Sequence, residues 1–330
     1  MQRFLIIGSN SFSGSHFCNF LANKGVEVLA TSRSDEPHNS FLPYKWMSKN
    51  KDLISFNRLD LNHDLERLKE LLVSFKPSHI VNFAAQSMVA ESWINPTDWM
   101  NTNILALTNL MEIIKNYPSL DRYIHITTPE VYGSTDNYIS EGQHYNPSTP
   151  YAVSRATGDM LLKIYSEQYG IPVNLTRAAN VYGPGQQLYR IIPRTILAAL
   201  GANRLRLDGG GKSKRSFIHI QDVCEATYLI AMKGTAGETY HISTDDMFSI
   251  RDCVKSILTL TNKNFEEIVE LGPERPGKDA LYKLSSKKLR ETLGWNPSIN
   301  FDEGIKEVIH WIKTNLDYFM NVELKYVHKA

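Results

Sequence analysis

Short apolar and β-branched runs at positions 4–7, 26–30, 53–59, 79–83, 123–127 and 173–177 alternate with amphipathic stretches at 15–24, 64–75, 99–115 and 151–169. Runs that are apolar at nearly every position suit strands buried on both faces, and the intervening 3.6-residue periodicity is that of helices. The alternation predicts an α/β fold built on a parallel sheet covered on both sides.

Past Asn180 the rhythm loosens. Gly/Pro-rich loops (Gly183-Pro184-Gly185, Gly209-Gly210-Gly211, Gly272-Pro273, Arg275-Pro276-Gly277) separate helix-like segments at 192–201, 222–232, 250–260, 285–293 and 301–314. We expect a first domain over 1–178 and a smaller α/β domain over 179–330, with some segments of the latter returning to the sheet. No internal repeat or low-complexity segment occurs.

Composition narrows the partners. The 330 residues hold 36 Lys+Arg against 35 Asp+Glu, a net charge of +1, with 42% hydrophobic residues. This is a globular composition without the basic stripe that nucleic acids require, so any anionic ligand must be met by locally placed cations. Cys18, Cys224 and Cys253 are far apart, and neither they nor the histidines show metal-ligand spacing, so no metal and no disulfide is expected. The apolar runs are too short for a membrane span or a signal peptide, which predicts a cytoplasmic protein.

Candidate chemistry begins at the first turn. The run 4–7 enters Gly8-Ser9-Asn10-Ser11-Phe12-Ser13-Gly14 and then a helix, so backbone N–H groups and a helix N-terminus can receive a pyrophosphate. Gly8, Ser11, Phe12, Ser13 and Gly14 are therefore candidate dinucleotide contacts, and the fold expected is a Rossmann-like, doubly wound sheet. The second run ends in Thr31-Ser32-Arg33-Ser34 with no acidic residue for a ribose 2′-hydroxyl. Arg33 suits a 2′-phosphate, which favours NADP over NAD. Asp60 and Leu61, and Ala84, Ala85 and Ser87, follow the third and fourth runs, where open α/β sheets bind ligands.

At the end of the fifth run lies Thr127-Thr128-Pro129-Glu130-Val131-Tyr132-Gly133, and the next helix opens with Pro150-Tyr151-Ala152-Val153-Ser154-Arg155. Tyr151 and Arg155 share a helix face, so the cation can favour the phenolate and make the tyrosine a base.

These residues carry a resemblance. The chain resembles the extended short-chain dehydrogenases/reductases, above all the nucleoside-diphosphate-sugar (NDP-sugar) 4,6-dehydratases. The likeness extends through Asn180-Val181-Tyr182-Gly183-Pro184, the segment 215–223, Arg275-Pro276-Gly277-Lys278-Asp279 and Leu293-Gly294-Trp295-Asn296-Pro297. It implies that Tyr151 takes the proton of the sugar 4-hydroxyl while hydride leaves C4, that Glu130 removes the C5 proton, and that hydride returns to C6 after water departs. Thr128 then contacts the 4-hydroxyl region, and Arg155 stands in the lysine position of the YxxxK motif, where it and Tyr151 also contact the cofactor. Ser87, Asn103, Asn180, Arg190, Arg215 and Arg275 fall where relatives hold the substrate. A tightly bound, recycled NADP or NAD and a homodimer built on the helices 99–115 and 151–169 are implied as well.

The chain departs from that pattern at Pro129, where glucose-type enzymes carry a proton-donating aspartate, and at Arg155 in place of lysine. Two other outcomes therefore stay open: an epimerase or 5,6-dehydratase that returns hydride to C4, and a binding protein without catalysis.

Overall fold

Seven parallel strands form the central sheet of the computed structural model, which describes residues 2–135, 137–142, 144–273 and 282–329. They are β1 (Arg3–Ile7), β2 (Glu27–Ser32), β3 (Ile54–Arg58), β4 (His79–Asn82), β5 (Arg122–Ile126), β6 (Val173–Ala178) and β7 (Thr239–Ile242). The spatial order is β3-β2-β1-β4-β5-β6-β7, so the chain winds outward from β1 and then crosses back to β4. The crevice between β1 and β4 is the place where such sheets bind ligands. Ile7 is level with Thr31 on one side and Asn82 on the other, so Gly8 and Phe83 leave the sheet beside Ser32, the last residue of β2.

The period of two along β1 divides the core. Phe4 and Ile6 face α1 (Phe12–Asn23) on one side, whereas Leu5 and Ile7 face α2 (Leu65–Phe75), α3 (Ala106–Ile114) and α4 (Pro150–Tyr169) on the other. All four side chains are at most 1% exposed, and full burial of each contributes about 1.5–3 kcal/mol. Helix α4 is bounded by its own sequence. Thr149 accepts from the N–H of Ala152, Pro150 occupies the first turn, and Gly170 closes the helix at φ +66°.

The stretch 99–115 was expected as one helix. It comprises Pro96–Met100, a π-helical turn Asn101–Leu105 and α3. The extra residue in that turn carries Asn103, which is buried and hydrogen-bonded away from its own helix, and such turns concentrate at functional sites.

The second half contributes α5 (Ile191–Ala199), α6 (Ile220–Lys233), α7 (Ile250–Leu260), α8 (Lys287–Leu293) and α9 (Phe301–Thr314). Ile305, Val308 and Ile312 of α9 pack on Ile192, Ile196 and Ile257. Helix α6 covers the α1 face of the sheet, and β7 adds the strand next to β6. A separate parallel pair, Asn180–Tyr182 with Phe217–His219, follows β6 in the chain. His16 meets the Pro184 carbonyl at 2.6 Å and Trp311 donates to the Ser40 carbonyl at 2.9 Å, binding the halves together. Among the described residues no helix is long and apolar enough to cross a membrane.

Candidate active site

The turn after β1 is closed by contacts that only small residues permit. Gly8 sits at φ +84°, and a Cβ there would lie 2.6 Å from the Ala84 nitrogen; a Cβ on Gly14 would lie 2.4 Å from the Gly8 carbonyl. Ser11 stands where a glycine is usual, yet its hydroxyl tightens the turn, donating to the Gly8 carbonyl at 2.7 Å and accepting from Gly14 N–H at 3.1 Å. Phe12 and Ser13 open α1, where backbone N–H groups have no carbonyl one turn back to pair with. The Phe12 ring turns inward onto His16, leaving its main chain as the contact surface. A helix N-terminus behind a cradle without side chains fits a dinucleotide pyrophosphate.

Around this cradle the sequence candidates take different tasks. Asp60 accepts from Asn62 N–H at 2.9 Å while its own N–H donates to Asp64, so its carboxylate shapes the turn after β3. Leu61 is 7% exposed and packs in the core beneath. Ala84 and Ala85 are half-buried at the crevice, and Ala84 N–H is held by the Asn82 side chain at 2.9 Å. Ser87 is exposed at the lip. Asn103 accepts from Gln86 N–H and donates to the Gln86 carbonyl and to Ser154 Oγ, all within 3.0 Å. It thereby clamps the loop after β4 to α4.

Thr128, Glu130 and Tyr151 meet across the gap between the end of β5 and the first turn of α4. Thr128 caps the short helix Pro129–Tyr132 by accepting from Glu130 N–H at 3.3 Å, and its hydroxyl is among the groups that act on the Tyr151 phenol. Burial lifts the Tyr151 phenol above its ordinary value; the Arg155 charge pulls it back, Glu130 adds to the rise and Thr128 opposes it. The cation one turn along the helix thus acts in the direction expected from sequence, but desolvation outweighs it. Arg155 is 3% exposed and its guanidinium reaches into the sheet, to the Ile126 carbonyl and to His125. Pro129 is buried and brings no titratable group.

The substrate candidates lie on the second-half side of the crevice. Asn180 donates to the Ser216 carbonyl at 3.2 Å, and Arg215, 8% exposed, donates to the Lys214 carbonyl. Arg190 precedes the first turn of α5 without capping it, lies over the Tyr189 ring and approaches Met88 Sδ at 3.7 Å. Arg275 lies outside the described residues.

One feature carried no signal in the sequence. The segment 322–329, beyond the last helix, runs across the crevice. Its Lys329 carbonyl accepts from Gln86 Nε2 at 2.6 Å and from Arg33 Nη2 at 2.8 Å, so it bridges the loops after β4 and β2 above the end of β1. His328 stacks on Trp99 and lies 2.7 Å from Asp98, and Tyr326 meets Tyr189 edge to face. No hydrophobic period or glycine pattern marks these residues, because they are held by isolated polar, aromatic and apolar contacts from distant elements.

A family model described as GDP-mannose 4,6 dehydratase matches residues 5–308. The dTDP-glucose 4,6-dehydratase of Escherichia coli is 30% identical over 97% of this chain and 96% of that protein. A trifunctional UDP-glucose 4,6-dehydratase/UDP-4-keto-6-deoxy-D-glucose 3,5-epimerase/UDP-4-keto-L-rhamnose-reductase of Arabidopsis thaliana is 31% identical over 97% of this chain, which spans 48% of that relative's length. The crystal structure of the dTDP-glucose 4,6-dehydratase of Streptomyces venezuelae, with NAD bound, superposes with a TM-score of 0.86 at 29% identity, covering 96% of this chain and 98% of that one.

Proposed function

This chain belongs to the GDP-mannose 4,6-dehydratase family, and on that premise we propose that it converts an NDP-hexose into its 4-keto-6-deoxy derivative. The observation that carries the reading is the meeting of Thr128, Glu130 and Tyr151 beside the dinucleotide cradle.

A nicotinamide dinucleotide, when bound, supplies the hydride acceptor for C4 and the hydride donor for C6. Tyr151 takes the proton of the 4-hydroxyl, and Thr128, beside the phenol, orients that hydroxyl. The ketone formed at C4 acidifies the C5 proton, which the Glu130 carboxylate accepts. Water leaves C6 only if its oxygen gains a proton, and Pro129 has none to give. Glu130 therefore both takes the C5 proton and delivers it to O6; when hydride returns to C6, C5 takes up a proton again, and the one that Tyr151 removed from the 4-hydroxyl balances it. Arg190, Arg215 and Arg275 are proposed for the diphosphate and nucleoside, since an arginine fork suits phosphate oxygens; Asn180 and Ser87 line the same side, and Asn103 positions the loop that carries Ser87.

For the cofactor, NAD in the S. venezuelae structure and the engagement of Arg33 by the Lys329 carbonyl support NAD, where the sequence had favoured NADP. A 2′-phosphate would have to compete for that guanidinium. Release of the cofactor by denaturation and its identification by mass spectrometry decides between the two.

A homodimer is proposed on the outer face of α4, where Val153, Met160 and Ile164 are 40%, 45% and 60% exposed and Leu105 beside them is 56% exposed. A helix face with such a row of apolar residues is suited to a partner. A cytoplasmic location accords with nucleotide-sugar and dinucleotide substrates.

Pro129 favours one rival outcome, hydride return to C4, as in an epimerase or a 5,6-dehydratase. Substrate NDP-hexoses deuterated at C4 separate the readings without added reductant. Deuterium at C6 of a 4-keto-6-deoxy product is expected; deuterium back at C4 overturns 4,6-dehydration. Glu130→Gln is expected to stop elimination while the fold and dinucleotide binding persist, and turnover unaffected by this change would point to a binding protein whose activity came from elsewhere.

A further inference from the structure

A line of buried polar groups runs under the active site, and neither the cradle nor the catalytic residues account for it. Arg155 Nη2 meets His125 Nε2 at 3.2 Å, His125 Nδ1 lies 3.5 Å from the Tyr123 hydroxyl, that hydroxyl accepts from Asn82 Nδ2 at 3.1 Å, and Asn82 Oδ1 accepts from Ala84 N–H at 2.9 Å. Arg155, His125, Tyr123 and Asn82 are each at most 3% exposed. The line thus connects the helix that bears Tyr151 to the loop that Gly8 packs against.

The chemistry of the groups fixes the protonation pattern. A guanidinium can only donate, so His125 Nε2 must present its lone pair and a neutral ring carries its proton on Nδ1, aimed at the Tyr123 oxygen. A protonated ring would oppose the guanidinium with a second N–H donor. Burial and the Arg155 charge both hold the imidazole well below its ordinary range, consistent with a neutral ring. A lysine at position 155 would be a shorter point charge; the longer arginine needs an acceptor inside the sheet to stay one turn from Tyr151.

We propose that His125 is a positioning residue: as the neutral Nδ1–H tautomer it holds Arg155 next to Tyr151 and, through Tyr123 and Asn82, couples it to the backbone of Ala84 at the cofactor crevice. This rests on the proposed dehydratase reading for its kinetic test, but not for its spectroscopic one.

His125→Phe keeps the ring and removes the acceptor. The guanidinium then keeps only the Ile126 carbonyl and is free to turn about it, and the apparent pKa of the basic group in the kcat–pH profile is expected to rise by about one unit, roughly a tenfold loss of kcat below that pKa; KM for the nucleotide sugar stays within about twofold. His125→Gln, which restores a carbonyl acceptor, is expected to recover most of the loss. In an Arg155→Lys background, the change at His125 is expected to leave the profile where Arg155→Lys alone puts it. Should His125→Phe not fold, Tyr123→Phe tests the same line by removing the Nδ1 partner, with a smaller shift in the same direction. Independently of any substrate, nitrogen-15 NMR of the imidazole in the dinucleotide-loaded protein should show Nδ1 protonated and Nε2 bare from pH 5 to 9. A protonated Nε2, or an equal shift of the profile with lysine at position 155, overturns the proposal. If no NDP-hexose is turned over, the dehydratase reading fails while the NMR result still decides the network.

Discussion

The carboxylate of Asp159 and the guanidinium of Arg177 lie 2.7 Å apart with neither side chain exposed to solvent. Tyr132 and Tyr145 accept from the same guanidinium, so α4 is fastened to β6 and to the loops after β5 by one buried cluster. Asp159→Asn leaves the arginine charge without its counter-ion, and a loss of about 3–5 kcal/mol is expected, read from urea unfolding. The paired change Asp159→Leu/Arg177→Met removes both charges and should recover much of it. Equal losses from the single and paired variants would show that packing, not charge, is at stake.

Acid should weaken the fold before it touches the carboxylates. Burial holds His16 down to about 3 and His219 down to about 4, against an ordinary value of 6.5. Between 6.5 and those values the unfolded chain binds more protons than the folded one, so the stability is fully present above about pH 6.5 and declines as the pH falls toward 4 and then 3. We expect Tm to fall steadily from pH 7 to 4, and His16→Gln/His219→Gln to have a shallower slope over the same range. An unchanged slope would place the acid sensitivity elsewhere.

Gly8 has no tolerance for a side chain. Gly8→Ala forces a Cβ to 2.6 Å from the Ala84 nitrogen at φ +84°, and left-handed strain alone costs about 1–3 kcal/mol. The expected result is lower Tm together with loss of the copurifying dinucleotide, because the loop after β4 must move. Full occupancy by the dinucleotide would mean that the cradle is not its site.

The segment 322–329 spans the crevice and is pinned by His328 on Asp98 and Trp99 and by Tyr326 on Tyr189. Replacing both pins, Tyr326→Ala/His328→Ala, should speed dinucleotide release by about tenfold or more, corresponding to loss of about 1.4 kcal/mol at the barrier. Stopped-flow displacement by a second dinucleotide measures it. Equal release rates would show that the segment does not obstruct the crevice.

The apolar row on α4 should be the subunit contact. Met160→Asp/Ile164→Asp places two charges on that face and is expected to yield a folded monomer in analytical ultracentrifugation; a variant that sediments as the wild type would move the interface elsewhere.

Local pattern was enough for much of this. The alternation of apolar runs and amphipathic stretches foretells the parallel sheet, because a strand buried on both faces must be apolar at consecutive positions. Gly8, Thr128, Glu130 and Tyr151 could be picked out as candidates by type and spacing, since each sits at the end of an element whose register the sequence reveals. The tasks of Asn103, Asp60 and Ser11 depend on which backbone group lies opposite, and no periodicity encodes that. Only the folded chain brings His125 to Arg155, Lys329 to Arg33 and Gln86, and Asp159 to Arg177. In each case the partners come from separate elements, and a buried or bridging polar contact is decided by where those elements pack. From its sequence alone the chain thus determined the parallel sheet and the tight turn after its first strand, because these follow from local hydrophobicity and turn chemistry, while the candidate catalytic residues rest on the family's motifs. The tertiary structure alone decided what holds those residues in place and what crosses the crevice, because hydrogen bonds between distant segments exist only after the core has set their distances.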